Sequence, residues 1–114
     1  MLFLIVFTSA KLWLGKIMEE KQYCVYILAS KKYGTLYTGI TSNLAQRMFQ
    51  HQEGLDDGFT KKYVGHQLVY YEVHLDVYEA IIREKRIKKW NRQWKINLIE
   101  EQNPQWLNLA NGLF

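Results

Sequence analysis

The chain has 114 residues, 48% of them apolar and 23% charged, with one proline and seven glycines. That is enough for one hydrophobic core and too little for two, and the balance excludes a disordered or low-complexity chain. The net charge is +4, unevenly spread: seven of the fifteen basic residues lie between Arg83 and Lys95 against one acid, Glu84, so this window carries +6 and the remainder −2. A cationic field of this kind favours a polyanion, with nucleic acid first and an anionic membrane surface second. The competing reading is a solvated helix face. Cys24 is the single cysteine, which rules out an internal disulfide and a cysteine-based zinc site.

The chain opens on "MLFLIVFTSAKLWLGKI", residues 1 to 17. Its uncharged run from Leu2 to Ala10 is shorter than the roughly 20 residues that span a bilayer. No positive segment precedes that run, as a secretory signal would require. Met18 then begins "MEEKQYCVYIL", an ordinary cytoplasmic start. The expectation is that residues 1–17 are an upstream extension and 18–114 a single cytoplasmic domain with no integral membrane span. A membrane-attached or cleaved leader is the alternative.

Residues 23–29 and 35–40 read as two strands rich in Tyr, Val, Ile, Leu and Thr, joined as an antiparallel hairpin with Gly34 free to take a positive φ. Cys24 falls in the first strand as a small buried thiol. Asn43 caps a helix from Leu44 to about Glu53, with Gln46 completing the capping box, and "EGLDDG" ends it. A third strand covers 67–73. Asp76 and Glu79 form a second box opening a helix to about Trp90, a further helix covers 92–102, and Trp106 and Leu107 pack the tail back. Three antiparallel strands flanked by helices make an α+β layer fold.

Three features carry chemistry. In the helix after Asp76, Val77, Ala80, Ile81 and Ile87 follow helical spacing, and Glu84 falls into the same stripe. An acid there costs stability unless it is paired, so it is either a buried salt bridge or a cleft-facing metal ligand or acid. Arg47 and His51 are helical neighbours four apart. Tyr26 and Tyr37 sit on neighbouring strands, where packing is the plain explanation. Together they supply a phosphate clamp, a proton carrier, a base and a metal anchor. Trp90 and Trp94, one turn apart within the basic window, suit core packing first and base stacking second. His66 and His74 have no metal-binding spacing.

In order and spacing, Cys24-Val25-Tyr26, Tyr37-Thr38-Gly39, Arg47, His51 and Glu84 resemble the motif of the GIY-YIG endonucleases, and in particular their small single-domain bacterial members. The resemblance covers nearly all of residues 22–102. Cys24 and Thr38 replace the family's first glycine and middle isoleucine at strand positions, and Ile40 stands where the excision-repair branch carries a lysine. The resemblance implies a metal-dependent endonuclease for DNA, structured or single-stranded, acting in repair or processing, with RNA as a further substrate class and a protein partner as a source of specificity. Glu84 would hold Mg2+ or Mn2+, Arg47 would share phosphate charge, Tyr37 would be the base assisted by His51, and Tyr26 would orient the water or phosphate. Tyr63 is a further site tyrosine. Lys62, Arg83, Lys88, Lys89 and Arg92 join it as candidate nucleic-acid contacts. The alternative is a nucleic-acid-binding module whose cleavage is vestigial or partner-dependent; a third reading is a membrane-surface protein using the leader.

Overall fold

The computed structural model describes residues 21–53 and 65–113. The expectations for the leader and Met18, for the turn after Glu53, and for Lys62 and Tyr63 therefore lie outside the described residues. Strands β1 (Tyr23–Ala29), β2 (Leu36–Thr41) and β3 (Gln67–His74) form one antiparallel sheet in the order β2-β1-β3. Helix α1 (Leu44–Glu53) follows β2, while α2 (Val77–Lys89) and α3 (Arg92–Gln102) follow β3, and a short 3-10 turn covers Leu109–Gly112.

The central position of β1 explains its unbroken apolar run, since both of its faces are covered. Val25, Ile27 and Ala29 point to one layer, where they meet Ala80 and Ile87 of α2, Ile96 and Ile99 of α3, and Trp106. Cys24, Tyr26 and Leu28 point to the other, with Leu44 and Met48 of α1 and Ala110. A bulge opposite Ile27/Leu28 leaves Val69 as an extra residue of β3, so that Val69 and Tyr70 both join the first layer. The Cys24 thiol is buried, which pushes its pKa up.

The helices begin where short polar side chains satisfy their first amides. Asn43 Oδ1 accepts from the Gln46 amide at 3.1 Å, while the Asn43 amide donates to Thr41 Oγ1 at 3.1 Å, the place the capping box had reserved for Gln46. Asp76 accepts from the Tyr78 amide at 2.9 Å. Trp90 and Asn91 are extended, which separates α2 from α3, and Asn91 caps the latter through the Trp94 amide at 2.9 Å.

Three expectations need correction. The left-handed residue of the β1–β2 turn is Tyr33, with φ 60°, and not Gly34. Gly34 is required for space instead, because a Cβ there would lie 2.2 Å from Ser30 Oγ. The strained turn is held from outside: Arg92 donates to the Tyr33 carbonyl and, at 2.8 Å, to that of Gly34, and the Tyr33 hydroxyl donates to Glu100 at 3.0 Å. In α2 the buried stripe is Ala80, Glu84 and Ile87, with Ile81 turned outward. In the tail Trp106 is buried and Leu107 exposed, since it is Leu107's backbone, bound on both sides by Asn103, that ties the tail down.

Candidate active site

Tyr26 lies in the middle of β1, 2% exposed and directly across from Gly39 of β2. Tyr37 is two residues before Gly39 and so projects on the same face. The two rings stand 6.2 Å apart at 55°, and the phenols share a hydrogen bond. Gly39 is what allows this. A Cβ at residue 39 would sit 2.5 Å from Tyr26 Oη, 2.6 Å from its Cζ and 2.9 Å from Tyr37 Cε1. The need is for space alone, because the Gly39 backbone is not left-handed.

Arg47 and His51 come from successive turns of α1, packed on this layer through Leu44 and Met48. His51 is buried, and its ring meets that of His66 edge-on at 6.4 Å. Burial lowers the pKa of His66, a residue the motif spacing had not singled out. Burial raises the pKa of Tyr26. The Arg47 charge and the Tyr37 hydrogen bond oppose that rise, and the Glu84 carboxylate adds to it. One phenol thus lies within the electrostatic reach of both the arginine and the acid, residues separated by 37 positions in the sequence. Burial, reinforced by Glu84, thus favours the protonated phenol of Tyr26, whose hydroxyl is shared with Tyr37.

Glu84 lies on the buried face of α2, and its carboxylate accepts from Lys88 Nζ at 2.7 Å, one turn later. The salt-bridge reading of Glu84 is the one observed: the carboxylate is buried and paired, and its partner is half exposed. A hard divalent cation fits this donor set. Such an ion takes one carboxylate and completes its shell with water and substrate phosphate oxygens. Among the described residues no three His, Cys, Asp or Glu side chains converge into a fuller cage.

The basic residues expected at nucleic acid have varied surroundings. Arg83 Nε donates to both oxygens of Glu72, at 3.1 and 3.0 Å, and its guanidinium lies 5.1 Å from the Trp90 ring centre. Arg92 holds the β1–β2 turn and Lys88 pairs with Glu84. Lys89 is exposed. The sequence reading missed the Glu72 network, in which Glu72 also accepts from Tyr70 and meets His74 Nε2 at 2.5 Å. Its signal was the period-two placement of Tyr70, Glu72 and His74 on one strand. By gripping Arg83, this network fastens α2 to β3 immediately beside Glu84.

No described helix is long and apolar enough to cross a membrane. The solution NMR structure of a UPF0213 protein from Bacillus halodurans superimposes with a TM-score of 0.50 at 28% identity, covering 76% of this chain and 92% of that one. A UPF0213 protein of Staphylococcus saprophyticus is 39% identical over 82 residues, 72% of this chain and 98% of that protein. One from Oceanobacillus iheyensis is 35% identical over 88 residues, 77% of this chain and all of that protein. The sequence profile of the GIY-YIG catalytic domain, the domain of a nuclease superfamily, matches residues 22–97. The paired tyrosines, the α1 arginine and the buried α2 glutamate are thus set in a chain that belongs to the GIY-YIG family.

Proposed function

We propose that the protein is an endonuclease that hydrolyses phosphodiester bonds in DNA with Mg2+ or Mn2+, in DNA repair or processing in the cytoplasm. The observation that carries this reading is the pairing of Tyr26 with Tyr37 over Gly39, with the charges of Arg47 and Glu84 both felt at the Tyr26 phenol. When bound at Glu84, the cation supplies polarisation of the phosphate and charge stabilisation at the leaving oxygen. Arg47 shares the negative charge that develops on the phosphate. Tyr26, kept protonated by burial, orients the attacked phosphate or the water through its hydroxyl. Tyr37 takes the water's proton as it gives its own hydroxyl proton to neutral His51, so that the phenol is regenerated and the imidazole carries the proton. Lys88, half exposed beside Glu84, would leave the carboxylate to hold the cation and would itself face the substrate phosphate. Lys89, with the exposed Lys85 and Arg86 of the same helix, holds the backbone without reading bases.

A second reading, a nucleic-acid-binding module with vestigial or partner-dependent cleavage, is favoured by one observation: the Glu84–Lys88 pair at 2.7 Å already satisfies the carboxylate. The two are separated by incubating labelled single-stranded, duplex, flapped and branched DNAs with Mg2+ or Mn2+ and either the wild-type chain or Glu84→Ala. Metal-dependent cutting that disappears in the variant is the expected result. Binding by both proteins with cutting by neither gives the second reading the lead.

A further inference from the structure

We propose that the exposed indole of Trp94, braced edge-on by Trp90, is a stacking platform for one base of a single-stranded nucleic acid; the proposal deepens the nuclease reading by naming the form of its substrate. Core packing accounts for Trp90, which is partly buried against the inner layer. It does not account for Trp94, which is 56% exposed on the first turn of α3. Its backbone and one edge of its ring nonetheless have partners. Asn91 binds the Trp94 amide at 2.9 Å, and Trp90 lies 5.9 Å away at 78°. Behind Trp90 stands the Arg83 guanidinium, itself held by Glu72. A neighbouring ring at the edge reduces the freedom that an exposed aromatic surface loses when a ligand settles on it.

The shape and charge of the surroundings name the occupant. The two indoles, with Asn97, Leu98 and Glu101, line an open cavity of about 160 Å³, suited to a single ring system. The Arg83–Lys95 window carries +6 along the chain, and within it the exposed Lys85, Arg86 and Lys89 of α2 supply charge that attracts a phosphate chain. Bases stack on aromatic side chains whatever their identity, provided that a face is free, and a duplex leaves none free along its length. Trp90 ends the helix that carries Glu84 six residues earlier, a rise of about 9 Å along the axis.

The test measures binding by the full chain in EDTA, without cleavage, to labelled oligothymidylate and to an abasic oligomer of equal length and charge. Stacking of one base is worth roughly 1–3 kcal/mol, so oligothymidylate should bind at least about fivefold more tightly, with quenching of tryptophan fluorescence. Trp94→Ala should erase the preference, and Trp94→Phe should keep most of it. Lys89→Ala should weaken both ligands alike and leave the preference unchanged. Equal binding of the two oligomers by the wild-type chain, failure to bind either, or a preference that survives Trp94→Ala would overturn the proposal. A Trp94→Ala effect confined to self-association in sedimentation would also overturn it, in favour of a protein interface. Because no metal or turnover enters this readout, the platform and the nuclease reading can fail separately: Glu84→Ala addresses the second and Trp94→Ala the first.

Discussion

Replacing Gly39 with alanine tests the link between packing and chemistry most directly. The added Cβ would meet Tyr26 at 2.5 and 2.6 Å and Tyr37 at 2.9 Å. Tyr26 is 2% exposed and pressed between β2, β3 and α1, so its ring cannot swing clear. Overpacking of this kind costs about 1–3 kcal/mol. The reduced flexibility of alanine in the unfolded chain returns about 0.5–1 kcal/mol, and the clash wins by roughly 1–2 kcal/mol. For a domain of this size that lowers the Tm by roughly 5–15 °C. Displacement of the phenols should cut the cleavage rate by about tenfold to a hundredfold, the scale of small misplacements in active sites. Thermal unfolding and single-turnover cleavage of the preferred DNA measure the two effects. A variant with unchanged Tm and rate would refute the packing argument, whereas a lowered Tm with an unimpaired rate would remove the tyrosine pair from the chemistry.

Glu84→Met places an apolar chain of similar length in the buried stripe of α2; since Lys88 is half exposed, stability should hold or rise while cleavage disappears. A loss of more than about 2 kcal/mol in denaturant unfolding would instead make the Glu84–Lys88 pair a structural bridge. Arg92→Ala removes the donors to the Tyr33 and Gly34 carbonyls and should cost about 1 kcal/mol, with faster amide exchange at Gly34 and Thr35; unchanged exchange would mean that the turn stands unaided. For Glu72, burial pushes the pKa up, but hydrogen bonds from Tyr70, Arg83 and His74 outweigh it and hold the carboxyl below its usual value. Its contribution to stability is therefore complete above the unfolded value of about 4.3 and is lost as pH falls through the lower folded value. Glu72→Gln should flatten the acid limb of a plot of Tm against pH, and parallel limbs for the two proteins would contradict that assignment.

Much of this architecture is legible along the chain because its causes are local. The strand at 23–29 and the helices at 44–53 and 92–102 fall where apolar spacing and the residues around Asn43 and Pro104 place them. The ordered tyrosines, arginine, histidine and glutamate could likewise be recognised by type and interval. Contacts across elements could not. The left-handed position moved from Gly34 to Tyr33 because Arg92 and Glu100, some 60 residues away, hold the turn. Arg83 and Arg92 look alike in a basic run, yet Glu72 binds the first and two turn carbonyls bind the second. Trp90 and Trp94 share a spacing, but only docking of the helices on the sheet leaves one partly buried and the other in water. Gly39 reads as a small strand residue until β1 pairs with β2 and sets the Tyr26 ring over it. Capping and periodicity act within a few residues, so sequence alone carries them; the surroundings of each side chain depend on strand register and helix docking, which exist only once the chain has folded.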